Sequence, residues 1–283
     1  MKTCTAASSQ IGLRKTQQDR YFYCQIDNTI LNLISDGNGG DGGGVLAENA
    51  IKSASSELGF RLSQLSKEKA LTEEQLRGIC IESINKAAVH VTNLKMSNPE
   101  WSGAGTTITI VVITENLIAL SWVGDSPCYM LQDNEFIKLS HPVHTVAEEL
   151  IKDGLPRDAL KEQQRLHSTL TKCMGHGIPI PDTKIIEFEK PCLVMLGSDG
   201  VFDHLSENEI RQIIKDKFID NSGLQEIADR FVQLSLDNGS DDNATAILSL
   251  SKPSQILSKN TELSQNFASL SKRISKHSKL KED

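Results

Sequence analysis

The sequence predicts an α+β fold, with antiparallel sheets carrying helices on their outer faces, and three observations lead there. Strand-like and helix-like segments come in clusters instead of alternating regularly, as a doubly wound parallel sheet would require. Two helices announce their starts with capping boxes, Thr72-Glu-Glu-Gln75 and Ser206-Glu-Asn-Glu209. No GxxxxGK[ST] phosphate loop occurs, and no nucleotide-binding βαβ unit is expected.

The elements follow in order. Residues 20–25 are aromatic and β-prone and 30–34 form a short apolar run, so the first 35 residues read as strands. A glycine-dense loop occupies 36–44. From Val45 to about Leu65 the spacing turns helical, and Thr72 opens a second helix with Leu76, Ile79, Ile84, Ala87, Val91 and Leu94 near one face. Pro99 and the small residues 102–105 separate this pair from a β-rich block, 106–114, 117–123, 128–131 and 135–139, in which residues 132–134 turn a hairpin. A helix from about Thr145 stops at Gly154, and another begins near Pro156, a residue suited to a first turn. Strands 183–189 and 192–197, helices from Ser206 towards Lys217 and over 224–236, and a last strand over 244–250 complete one domain, 1–250. The segment 251–283 changes character; from 252 it holds seven Lys or Arg against three Asp or Glu, with sparse apolar residues, and reads as a Ser/Lys-rich flexible tail.

Composition excludes several classes. In 283 residues, 38% are hydrophobic and 24% charged, which describes a water-soluble globular chain with ample core. Thirty basic against 37 acidic residues argue against nucleic acid as a partner, since that needs a basic stripe. No apolar stretch approaches the roughly 18 residues of a membrane span, and the N-terminus lacks the apolar run of a signal peptide. The six cysteines are scattered without a CxxC pair, which fits reduced thiols in a cytoplasm better than zinc or a disulfide framework.

Five carboxylates stand at strand boundaries: Asp19, Asp36, Asp125, Asp199 and Asp242. Side chains from separate strand ends can converge on one rim, and converging carboxylates require a positive partner. Hard oxygen donors without clustered Cys or His select Mg²⁺ or Mn²⁺. Each piece alone also has a plainer reading. Asp-Gly is foremost a turn dipeptide, and 36–44 serves equally as a glycine linker. His141 and His144 have HxxH spacing but no third ligand nearby, and read as loop histidines.

Taken together, Arg14-Lys-Thr-Gln-Gln-Asp19, Asp36-Gly-Asn-Gly-Gly40, Gly105-Thr-Thr107, Val123-Gly-Asp-Ser126, Leu170-Thr-Lys-Cys-Met-Gly175, Leu196-Gly-Ser-Asp-Gly-Val-Phe-Asp203 and Asp242-Asn-Ala-Thr245 occur in that order. This series resembles the successive motifs of bacterial-type metal-dependent protein phosphatases of the 2C kind, from about residue 8 to 250. The resemblance implies a four-layer α-β-β-α sandwich and a serine/threonine phosphatase acting on a phosphorylated protein. It implies two tightly held Mn²⁺ or Mg²⁺ ions and a third, weaker site. Asp36 would bridge the tight pair, the Gly37 carbonyl would bind one ion, and Asp199 and Asp242 would hold the other. Asp125, with Asp199 and Asp203, matches the third site. Asp19 would orient the attacking water, Gln18 would support the second ion weakly, and Asn243 would steady the loop beside Asp242. Arg14 is the expected phosphate-binding guanidinium, its planar fork matching two phosphate oxygens.

Several positions depart from that pattern. Asn38 stands where many relatives have a histidine able to protonate the leaving oxygen; it can bind substrate but cannot act as that acid, whose contribution is typically about 10²–10⁴-fold. Pro127 replaces an arginine, and Val143 an aspartate before His144-Thr145. A non-catalytic pseudophosphatase and a hydrolase of small phosphoesters are the alternative readings.

Overall fold

A computed structural model describes residues 4–65, 70–133, 135–217 and 221–251. The expected tail therefore lies outside the described residues, apart from Ser251. The strands are β1 (Cys4–Gln10), β2 (Asp19–Ile26), β3 (Thr29–Asn38), β4 (Gly105–Thr106), β5 (Ile108–Ile113), β6 (Leu117–Val123), β7 (Cys128–Gln132), β8 (Glu135–Lys138), β9 (Asp182–Glu187), β10 (Cys192–Gly197) and β11 (Ala244–Ser251). The helices are α1 (Gly43–Gln64), α2 (Glu73–Met96), α3 (Val146–Lys152), α4 (Arg157–Leu160), α5 (Gln164–Ser168), α6 (Asp199–Phe202), α7 (Glu207–Lys217) and α8 (Asn221–Asp237).

One sheet runs β1-β11-β10-β7-β8 and the other β2-β3-β5-β6-β9, with β4 paired to the end of β3. All pairings are antiparallel. Three apolar layers hold the sandwich together. Ile30, Ile34, Val111 and Trp122 of one sheet meet Val194, Leu196 and Ile247 of the other. Leu31 and Leu33 point the opposite way, onto Leu46, Ala50 and Leu58 of α1 and Ile84 and Val91 of α2. On the far side, Leu193, Met195 and Leu248 pack against Ile210 and Ile214 of α7 and Ile227 and Phe231 of α8. Successive strand side chains alternate faces, so β3 buries both and reads as a continuous apolar run. The four-layer expectation is met.

Both capping boxes form. Thr72 Oγ1 accepts from Gln75 N at 3.2 Å and Gln75 Oε1 from Thr72 N at 2.9 Å. Glu209 Oε2 accepts from Ser206 N at 2.8 Å, while Ser206 Oγ accepts from Glu209 N at 3.3 Å.

Other boundaries need correction. The glycine loop is shorter than expected, because β3 continues through Asn38 by pairing Gly37 with Thr106 and Asn38 with Gly105, and α1 already begins at Gly43. Thr107 leaves the ladder between β4 and β5. The helix expected near Pro156 is a single turn, α4, followed by another, α5. Leu160 is its only buried residue, and a short helix with so little to bury does not propagate. Among the described residues no helix is long and apolar enough to cross a membrane.

Phe231 is fully buried and meets Phe202 edge-on at 6.2 Å between ring centroids. Phe231→Ala should cost about 3–5 kcal/mol, measured as a lower urea midpoint at unchanged slope.

Candidate metal centre

The carboxylates reach one place from two sheets. Asp19 opens β2 and pairs in register with Asp36 near the end of β3. Asp125 follows β6 in the same sheet, whereas Asp199 follows β10 and Asp242 precedes β11 in the other. Between them lies a cleft of about 1200 Å³, lined by Arg14, Gln18, Asp36, Gly37, Asn38, Asp125, Asp199 and Asp242. The Asp36 and Asp199 carboxyls, 163 positions apart by number, come within hydrogen-bonding reach of each other. Asp19 is buried beside Asp36 but outside the lining of this cleft; Ser198 Oγ donates to its Oδ2 at 2.8 Å and Oδ1 has no hydrogen-bond partner.

Close approach of backbone makes this convergence possible. A side chain on Gly200 would bring its Cβ within 2.1 Å of the Asn243 carbonyl oxygen, so only glycine after Asp199 lets α6 rest on the turn carrying Asp242. The run Gly37-Asn-Gly-Gly-Asp-Gly42 has GxGxxG spacing between a strand and a helix. Its strand lies between antiparallel neighbours, outside any βαβ unit, which agrees with the expectation of no nucleotide-binding unit.

Electrostatics follow from burial and like charge. Burial pushes Asp19 up to about 7 against the lowering effect of Ser198 and Thr245 hydroxyls, and Asp199 and Asp242 add repulsion. Asp199 is pushed up to about 6, first by burial, then by Asp203 and Asp242. Asp36 and Asp125 are held well above the ordinary carboxylate range, again chiefly by burial. An unpartnered buried oxygen, two carboxyls drawn against each other and an all-oxygen donor set fit a hard divalent cation.

Among the described residues, however, no three His, Cys, Asp or Glu side chains already close on a single point. Asp242 and Asp199 are held by local donors. Asp242 Oδ2 accepts from Arg14 Nη2 at 2.8 Å and its Oδ1 from Asn243 N at 2.7 Å, while Asp199 Oδ1 accepts from Gly200 N at 2.7 Å.

The remaining expected residues divide. Asn243 does more than steady its own loop: its Oδ1 accepts from Gln18 N at 2.7 Å and its Nδ2 donates to the Ile11 and Thr16 carbonyls at 2.9 and 3.1 Å, pinning the segment that carries Arg14. Gln18 turns its amide to the Gly40 carbonyl at 2.6 Å. Asp203 caps α6 from an exposed position outside the cleft lining, although its charge is felt by Asp125 and Asp199.

Hydroxyl groups around these acids carry no motif of their own. Thr107 N and Thr106 Oγ1 both donate to the Asp36 carbonyl at 2.9 Å, Thr107 Oγ1 accepts from Asp36 N at 2.9 Å, and Ser198 holds Asp19. Their only signal was position within the acid-bearing motifs.

Paired antiparallel sheets, outer helices and an acidic cleft at one rim define the architecture of PPM-type phosphatases. The chain belongs to the protein phosphatase 2C family, whose pattern matches residues 8–239. The serine/threonine phosphatase stp of Listeria welshimeri is 28% identical over 228 residues, spanning 78% of this chain and 84% of that protein. The structure of serine/threonine phosphatase Stp1 from Staphylococcus aureus is 26% identical with a TM-score of 0.70, covering 87% of this chain and 93% of that one. The catalytic domain of PstP, solved in complex with two manganese ions, shares the fold at 22% identity and a TM-score of 0.70, covering 88% and 99%.

Raised carboxylate pKa values have a stability consequence. These groups bind protons more tightly folded than unfolded, so their contribution is complete below about pH 4 and is lost as pH rises through the folded values near 6 and 7. In chelator, the thermal midpoint should fall between pH 5 and 8, and Asp19→Asn should flatten the fall. A midpoint indifferent to pH across that range contradicts the strained acidic cluster.

Proposed function

We propose that this chain is a metal-dependent serine/threonine phosphoprotein phosphatase, with Asp36, Asp199 and Asp242 as the ligands of its tight metal pair. The carrying observation is that these carboxylates, from three separated segments, share one cleft and that two of them lie within hydrogen-bonding reach. Membership of the 2C family, and relatives named as serine/threonine phosphatases, support the substrate class.

Bound Mn²⁺ or Mg²⁺ ions would supply hydroxide near neutral pH and offset phosphoryl charge. Asp36 and Gly37 line the same cleft, where the Gly37 carbonyl would add an uncharged oxygen to the Asp36 carboxylate. Asp19, with one oxygen fixed by Ser198 and the other bare, would orient the attacking water. Arg14 lines the cleft from an exposed loop and can exchange its Asp242 partner for two phosphate oxygens. Asn38 can hydrogen-bond the substrate but carries no titrating proton, so the leaving oxygen takes its proton from solvent or another group. Asp125 reaches the same cleft as ligand of a third, looser ion, with Asp203 contributing through charge. Six free cysteines, three of them buried, support a cytoplasmic location.

Phosphate release from a phosphothreonine peptide tests the reading. Wild type should turn over with Mn²⁺ and stop with chelator, and Asp199→Asn should lose at least about 100-fold, more than losing an outer partner of a metal ligand usually costs. Activity indifferent to both would falsify the assignment, and metal binding without turnover would favour a pseudophosphatase. Asp125→Ala should change turnover or its Mn²⁺ dependence by roughly 10-fold while calorimetry still counts two tight ions; loss of both tight ions contradicts the assignment of Asp125 to a separate site.

A further inference from the structure

His144 is the only buried histidine among the described residues, and the chemistry above does not use it. It sits where two parts of the site meet. Its main-chain N–H donates to the Gly124 carbonyl at 3.0 Å, and its ring Nδ1 accepts from the Gly124 N–H at 2.9 Å. Its own carbonyl accepts from Thr171 N at 2.9 Å, on the stretch that forms the cleft wall with Lys172 and Cys173. Nε2 faces Asp182 Oδ2 at 3.3 Å and Lys172 Nζ at 3.2 Å, and Lys172 in turn donates to Asp182 Oδ1 at 3.3 Å. The ring stacks on Trp122, with centroids 6.3 Å apart and planes 16° from parallel.

These contacts fix the tautomer. A backbone amide can only donate, so Nδ1 must offer its lone pair and a neutral ring must carry its proton on Nε2, with Asp182 as acceptor. Burial and the Lys172 ammonium oppose the charged form.

Gly124 packs tightly against Thr107. It has φ +108°, and a Cβ there would come within 2.5 Å of Thr107 Cγ2. The turn carrying Asp125 is thus wedged between two residues. Thr107 Oγ1 bonds Asp36 N and Ser126 Oγ, both at 2.9 Å, so one side of the wedge is fastened to the floor of the site. His144 fastens the other side to the wall.

We propose that His144, as its Nε2–H tautomer, is the positioning residue that sets the Asp125 carboxylate relative to Asp36 and to the 170–180 wall of the cleft. Its consequence for turnover rests on the phosphatase reading; its consequence for the Gly124 amide does not.

Three measurements test it. A long-range ¹H–¹⁵N spectrum of the native protein should show Nδ1 bare and Nε2 protonated for His144. Hydrogen exchange at the Gly124 amide should be within about 3-fold of wild type in His144→Asn, whose amide oxygen can take the place of Nδ1. In His144→Leu, which has no acceptor, it should accelerate about 10-fold or more. The Mn²⁺ concentration for half-maximal phosphate release should rise about 10–100-fold in His144→Leu and recover in His144→Asn. A protonated Nδ1, or equal behaviour of the Asn and Leu variants in exchange, overturns the proposal. Absence of phosphate release from wild type counts against the phosphatase reading instead, and the spectrum and exchange rates still decide the role of His144.

Discussion

Carboxylates repel, and this fold gathers five of them around one rim, from two different sheets. Nothing in their own chemistry brings Asp19 to face Asp36, or Asp36 to within reach of Asp199. The apolar layers do, because burying Ile30, Trp122, Val194 and Ile247 between the sheets leaves the strand ends no freedom to part. Hydrophobic packing thereby holds an electrostatic arrangement that would disperse in an open chain. Divalent ions held there would reverse the sign of the local problem, turning mutual repulsion into shared coordination.

Around the acids runs a set of small hydroxyls whose part is orientation. Thr106 and Thr107 occupy both main-chain groups of Asp36, Ser198 holds one oxygen of Asp19, and Ser126 connects to Thr107. Such partners cost little entropy because Ser and Thr have short side chains. Asn243 extends the same logic to the loop bearing Arg14, whose guanidinium sits over Asp242. The site is organised from behind, by groups that need never touch a phosphate.

Much of this was legible in the chain. The alternation of β3 between two buried faces produced an apolar run ending in Asp36, and capping boxes at Thr72 and Ser206 marked helix starts. Acid-glycine pairs after strands told where the rim would be. Less legible were features set by pairing partners distant in sequence. That β3 runs on to Asn38 depends on Gly105 and Thr106, and no local propensity reports it. Asp203 belongs to the same motif as Asp199, yet one turn of α6 carries it outside the cleft lining. The side chain of Gln18 answers to the Gly40 carbonyl, a partner a motif cannot reveal. Hydroxyls escaped because Ser and Thr are common in turns, and only burial separates a structural one from the rest.

Within the apolar interface between the sheets lies one polar thread. Asn32, fully enclosed, donates through Nδ2 to Ser249 Oγ at 2.7 Å, and Ser249 Oγ is joined to Thr5 Oγ1 at 2.8 Å. Greasy surfaces slide over one another at little cost, whereas a hydrogen bond in a dry gap tolerates almost no displacement. Since three of the acids ride on one sheet and two on the other, that thread works as a dowel: it keeps two plates from slipping, and so keeps the parts of a divided site in alignment.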